Sequence, residues 1–247
     1  MFSQNPGEAT NEFFAPGEKP RFVKDLFDRI ASRYDFLNTI TSFGMHKGWR
    51  SRVLDISGLS EGDCALDLAC GTGDFLPGLR QRVGQQGQVV GVDLSLPMLQ
   101  LASSKMKNSS VNAVLVQGDA ENLPFGSNSF QAITVGFALR NFADLEKSFA
   151  EMYRTLKSGG RLLALEIARP QWQPFRSLFL LYFEKLLPLL ARAFRGEFRA
   201  YRWLPASLAV FPSREVVLAT MKRAGFDEVS YENLSLGAVC IYIGIKH

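Results

Sequence analysis

Asp67, Gly71, Thr72 and Gly73 fall within one short run, Leu66-Asp67-Leu68-Ala69-Cys70-Gly71-Thr72-Gly73, where an apolar strand ends and a helix should begin. Glycines at such a junction let a ligand approach the backbone, and a helix N-terminus offers free N–H groups. The run lacks the Lys-Ser/Thr of a phosphate loop. It is not Gly-x-Gly-x-x-Gly either, because Leu76 stands where the third glycine would be. An acidic residue inside the strand, Asp67, suits a ligand whose amino-acid end needs polar contacts. Asp93 ends the next strand, where a carboxylate can accept both ribose hydroxyls of a nucleoside. Asp119-Ala120 follows the third strand, where a short acidic side chain meets an adenine amino group. Taken alone, Gly71-Thr72-Gly73 is equally a plain turn, and Asp67 equally a partner for nearby amides. The ordered set at successive strand ends is what points to ligand binding.

Strands must carry these residues, and the pattern supplies them. Apolar runs at Cys64 to Ala69, Gln88 to Asp93, Val111 to Gln117, Ser129 to Phe137 and Arg161 to Ala168 alternate with helical segments at Asp74 to Val83, Pro97 to Met106 and Leu145 to Leu156. Short loops between alternating strands and helices predict a parallel sheet covered on both faces. A helix from Arg214 to Ala224 and two closing strands, around Phe226 to Tyr231 and Val239 to Ile245, predict an antiparallel hairpin at the sheet edge. Ahead of the sheet, helical spacing runs from Val23 to about Asn38 and again from His46 to Leu54. Met1 to Pro20, punctuated by Asn-Pro-Gly, Ala-Pro-Gly and Lys-Pro, reads as a loose arm.

The 247 residues carry 28 Lys and Arg against 24 Asp and Glu, a net charge of +4 that does not announce a nucleic-acid binder. Cys64, Cys70 and Cys240 form no Cys-x-x-Cys pair, and the histidines are His46 and His247. This argues against a disulfide framework and against a Cys/His metal site. No secretory signal or comfortable bilayer span stands out, so a reducing cytoplasm is the expected compartment.

The strand-end set resembles that of class I S-adenosylmethionine-dependent methyltransferases. More narrowly, the chain resembles the quinone-biosynthesis C-methyltransferases of the ubiquinone, menaquinone and phylloquinone pathways, over about residues 22 to 246. One signature is matched by Tyr34-Asp35-Phe36-Leu37-Asn38 with Ser42, His46 and Trp49. A second is matched by Arg154-Thr155-Leu156-Lys157-Ser158-Gly159-Gly160-Arg161 through Glu166, and a third by Gly136-Phe137-Ala138-Leu139-Arg140-Asn141-Phe142. Gln131 stands where that pattern has Asp. The resemblance implies a Rossmann-like, doubly wound, mostly parallel seven-stranded α/β fold with an antiparallel C-terminal edge, N-terminal helices and a helical insert after the fifth strand. Residues 1–20 would be a flexible arm and 21–247 one methyltransferase domain, with 169–212 as insert or lid.

What the resemblance implies chemically is methyl transfer from S-adenosylmethionine, through Asp67, Gly71, Thr72, Gly73, Asp93, Asp119 and Ala120, to a ring carbon of a prenylated or phytylated quinol. Such a site should stabilise a phenolate or remove its proton. Arg140 and Asn141 follow the fourth strand, and an always-charged guanidinium suits a developing phenolate. The alternative is an Arg that caps the next helix or pairs with Asp144. Tyr34 would close the donor pocket. His46 is a candidate base, or a packing residue beside Trp49. Tyr201-Arg202-Trp203-Leu204-Pro205-Ala206-Ser207-Leu208 with Phe211-Pro212-Ser213 leans towards the phylloquinone-type branch. The competing class is a non-catalytic S-adenosylmethionine-binding component of a quinone-synthesis complex.

The insert itself, Phe175 to Phe194, is apolar nearly all round. Ten basic residues against three acidic ones lie between Arg169 and Arg223. Basic flanks on apolar helices suit an anionic lipid surface, which would put peripheral membrane contact at 175–202, and also suit a lid over an isoprenoid tail. A cap on the domain, or on a second copy in a homodimer, is the alternative. Aromatic residues do not interleave with basic ones as they do on single-stranded nucleic-acid surfaces.

Overall fold

The computed structural model describes residues 10, 12–15, 17–182 and 198–247. Seven strands form one sheet: β1 (Cys64–Leu68), β2 (Gln88–Asp93), β3 (Val114–Gln117), β4 (Phe130–Gly136), β5 (Leu156–Ile167), β6 (Glu228–Leu234) and β7 (Val239–Ile245), in the order β3-β2-β1-β4-β5-β7-β6. The first five pair in parallel, and β7 runs antiparallel to both β5 and β6. The antiparallel strand is thus next to the edge rather than at it. β6 closes the sheet in the common direction.

The helices are α1 (Lys19–Ile30), α2 (Tyr34–Thr41), α3 (His46–Asp55), α4 (Leu76–Val83), α5 (Leu96–Asn108), α6 (Leu145–Thr155), α7 (Gln173–Leu181), α8 (Phe198–Val210) and α9 (Arg214–Arg223). Local chemistry marks several starts. Pro77 and Pro97 lie in first turns, where a missing N–H costs nothing. Ser95, Asp144 and Ser213 cap α5, α6 and α9 by accepting backbone N–H groups. Gln131, where the resemblance expects Asp, accepts the N–H of Cys64 at the start of β1.

Successive strand residues face opposite sides of the sheet, and both sides are buried. Leu66, Leu68, Ile133, Val135, Leu162 and Ala164 meet α6 and α9 through Phe149, Met152, Val217 and Met221. Ala65, Val89, Leu163 and Leu165 meet Val53 of α3, Leu76, Leu79 and Val83 of α4, and Met106 of α5.

Two differences from the sequence expectation affect the site. The helical spacing over Val23 to Asn38 covers two helices, because a 3-10 turn at Ala31–Arg33 breaks it and starts α2 at Tyr34. Periodicity of apolar residues does not register such a tightening. The stretch read as a loose arm contains the start of α1, and Phe13 is buried against Phe22 and Trp203. Residues 1–9, 11 and 16 of the arm, and 183–197 of the insert, lie outside the described residues.

Candidate functional site

The carboxyl ends of β1, β2, β3 and β4 share one edge of the sheet. There a cleft of about 100 Å³ is lined by Ala69, Gly71, Asp93, Asp119, Ala120 and Asn141, among others. Asp93 accepts the Gly71 N–H and the Ser95 N–H, both at 2.8 Å. Burial pushes its carboxyl up, and these N–H groups oppose the shift. The structure thus brings together Gly71, Asp93, Asp119 and Ala120, and does not bring Asp67, Thr72 and Gly73 to the same wall. Gly73 is held at φ +84°, and a Cβ there would lie 3.0 Å from the Leu76 side chain and 3.2 Å from that of Ala102. Packing against α4 and α5 is itself a reason for glycine at this position. Thr72 is turned to the charged side: it donates to Asp35 (2.5 Å) and accepts from Lys105 (3.0 Å). Lys105 also pairs with Asp74, as does Arg50.

Asp67 lies directly beneath the turn. Its Oδ1 accepts the Thr134 hydroxyl at 2.8 Å, and its Oδ2 is buried with no partner. Burial pushes its carboxyl up to about 7. Its pKa is therefore higher folded than unfolded, so between about pH 4 and 7 the folded state holds a proton that the unfolded chain has lost. Stability from this group is present in acid and falls by up to ~1.4 kcal/mol per pH unit across that window. In the ligand-free protein, Asp67→Asn should remove that slope. Melting temperatures of both proteins, taken from pH 4.5 to 7.5, should diverge as pH rises. Parallel curves would show that Asp67 ionises freely.

A second cavity, of about 690 Å³, lies under α1, α2, α3, α7 and α8. Apolar side chains such as Leu37, Phe175, Phe179 and Leu204 dominate its wall, and His46 and Arg140 also line it. Phe27, Tyr34 and Phe137 line both cavities. The break after Ala31–Arg33 puts Tyr34 at this junction, 3.8 Å from where a Gly71 Cβ would be.

Arg140 neither caps a helix nor pairs with Asp144, which instead caps α6. Its Nη1 donates to Glu166 Oε1 (2.5 Å) and to the Phe137 carbonyl (2.7 Å), and its own N–H donates to Glu166 Oε2. Glu166, next to last in β5, is fully buried. In the sequence, Glu166 is marked only by being a carboxylate after the apolar run Leu162 to Leu165. Asn141 Oδ1 accepts the Trp203 indole N–H at 3.0 Å, tying α8 to the cleft. His46 Nδ1 bonds the Ser42 hydroxyl at 2.7 Å. Burial and then Arg50 push its imidazole down, so the ring is neutral near pH 7. Burial pushes the Tyr34 phenol up and keeps it protonated. The sequence also passed over Arg50, whose position on α3 shows nothing unusual until its burial is known.

The profile of the ubiE/COQ5 methyltransferase family matches residues 16–246. The chain belongs to this family. It is similar to the demethylmenaquinone methyltransferase of Desulfitobacterium hafniense, 40% identical over 94% of this chain and 93% of that one. It is 41% identical to the protein of the same name from Roseiflexus castenholzii, over 96% and 98% of the two chains. It is 38% identical to the ubiquinone/menaquinone biosynthesis C-methyltransferase of Haemophilus ducreyi, over 99% and 96%. In fold it resembles a SAM-dependent methyltransferase from Aquifex aeolicus (TM-score 0.57, 18% identity, 97% of this chain and 96% of that one). As a member of the family, the chain is a quinone C-methyltransferase whose donor is S-adenosylmethionine.

The strand ends fit that donor: a carboxylate closes β2, a second follows β3, and Asp67 keeps an unpartnered oxygen close by. Asp93→Ala should weaken S-adenosylmethionine binding about 10- to 100-fold, the cost of losing hydrogen bonds to a charged acceptor. Calorimetric titration checks this, and an unchanged affinity would remove Asp93 from the donor site.

Proposed function

We propose that the chain methylates a ring carbon of a prenylated or phytylated demethylated naphthoquinol, the menaquinone or phylloquinone type of substrate. The observation that carries this reading is the junction of the two cavities. A strand-end cleft with carboxylates meets a large apolar chamber at Phe27, Tyr34 and Phe137. When bound, S-adenosylmethionine supplies an activated methyl group at that junction. The chain positions the ring, excludes water with the three aromatic side chains, and stabilises negative charge on the ring oxygen. Arg140 is the cation suited to that charge, with Glu166 fixing its orientation. The apolar chamber takes the tail. Trp203 and Leu204, from the segment that leans towards the naphthoquinone branch, line it.

The chamber's rim supports peripheral contact with lipid. Phe43, Met45, Leu178 and Leu181 line the chamber and are all exposed. No helix among the described residues is long and apolar enough to cross a membrane. The basic residues contribute less than their number implies. Arg169 and Arg214 donate to backbone carbonyls, Arg202 pairs with Glu12, and Arg223 with Glu146. Arg195 lies outside the described residues. A second copy in a homodimer would cover the same rim, and co-sedimentation with liposomes separates the two.

The test supplies methyl-labelled S-adenosylmethionine with a short-prenyl demethylated naphthoquinol or with the benzoquinol precursor of ubiquinone. Label is expected on a ring carbon of the naphthoquinol. Faster labelling of the benzoquinol would select the ubiquinone reading. No labelling of either, despite donor binding, would select the non-catalytic one.

A further inference from the structure

Arg50 is an anomaly. It sits on α3 with its side chain only 10% exposed, and its Nη2 pairs with Asp74 Oδ2 at 3.1 Å. Its Nε and Nη1 are buried and have no partner. Buried polar groups in folded proteins are rarely left so, and a guanidinium with two idle donors is an expensive one. Its guanidinium lies 5.5 Å from the centre of the Phe137 ring and 5.6 Å from that of Phe75. Phe137 is one of the three side chains shared by the cleft and the chamber. Asp67 Oδ2, also buried and unpartnered, lies close enough for the Arg50 charge to act on its carboxyl. Idle N–H donors on a fixed cation and an idle carboxylate oxygen are the two halves of a receptor for an α-amino acid zwitterion.

We propose that Arg50 binds the carboxylate of the donor's amino-acid end, opposite Asp67, which takes its ammonium group. Asp74 holds the guanidinium in place from the far side, and Lys105 supplies Asp74 with a second cation. Planar N–H groups matched to a carboxylate favour Arg at such a position. The assignment rests on the strand-end cleft being the donor site, and the test separates failure of one from failure of the other.

S-adenosylhomocysteine carries the amino-acid end, and 5′-methylthioadenosine has the same nucleoside without it. Both are titrated into the wild-type protein and into Arg50→Met and Arg50→Lys. Binding of both by the wild type is expected, with S-adenosylhomocysteine the tighter. Arg50→Met should lose about 10- to 100-fold in S-adenosylhomocysteine affinity and keep its methylthioadenosine affinity within about twofold. Arg50→Lys should recover part of the difference. Equal losses for both ligands would make Arg50 a support of the cleft's shape and overturn the assignment, as would no loss for either. A thermal melt accompanies each titration, and a misfolded Arg50→Met is replaced by Arg50→Gln. Failure of the wild type to bind either ligand would remove the donor cleft itself, and the Arg50 assignment with it.

Discussion

Arg140→Met should lower turnover about 100- to 1000-fold while changing donor affinity by no more than about threefold. Arg140 lies on the wall of the apolar chamber, one residue before the Asn141 of the strand-end cleft. The ring carbon becomes nucleophilic when a ring hydroxyl loses its proton, and a cation beside that oxygen favours the phenolate, so its loss lowers turnover more than donor binding. One confounding effect is built into the site. Glu166 is fully buried, and deleting its cation strands a carboxylate at a cost of ~3–5 kcal/mol. Arg140→Met combined with Glu166→Gln removes that charge and should regain most of the lost stability, but not the lost turnover. Thermal melts and single-turnover methylation of the two variants make the comparison. If the double variant works at the wild-type rate, Arg140 is a structural ion and the phenolate is stabilised elsewhere.

The tail should matter nearly as much. A demethylated ring with one prenyl unit should be methylated with kcat/KM at least about 100-fold above that of the bare ring. Each buried CH₂ contributes ~0.8 kcal/mol, and realising about 70% of this over five carbons, ~2.8 kcal/mol, is sufficient. The structure separates Leu178 and Phe179, neighbours on the insert helix. Leu178 is 62% exposed at the rim, whereas Phe179 is buried with Leu208 and Ala238. Leu178→Ser with Leu181→Ser should therefore weaken liposome binding and leave turnover of a short-tailed substrate nearly unchanged. Equal kcat/KM for bare and prenylated rings would deprive the chamber of its proposed ligand.

The sheet was legible because its signals are local. Apolar strands ending in Asp93 or leading to Asp119 announce both the element and its ligand-facing end, and capping residues at Ser95, Asp144 and Ser213 mark where helices begin. The 3-10 break before Tyr34 left no trace, since the apolar spacing continues through it. The roles within Gly71-Thr72-Gly73 also could not be divided by sequence. Only packing shows that Gly71 faces the cleft, that Thr72 belongs to the Asp35 and Lys105 network, and that Gly73 makes room for Leu76 and Ala102. The pairing of Arg140 with Glu166 joins residues on neighbouring strand ends, and no spacing rule links them. Cys70, beside the turn, is a small buried packing residue: its sulfur would lie 3.0 Å from a Cβ at Gly91, and burial pushes its thiol well up.

The partition formed by Phe27, Tyr34 and Phe137 has a thermodynamic corollary. A wall shared by two chambers cannot move for one without reshaping the other. Any preference that the nucleoside side has for one setting of these rings is therefore transmitted to the apolar side. Linkage requires the reverse influence to be equal: whatever factor donor binding lends to quinol affinity, quinol binding returns to the donor. The two ligands are then not independent tenants of the protein. Tail length, although remote from the sulfonium, enters the apparent donor affinity of the ternary complex through three side chains.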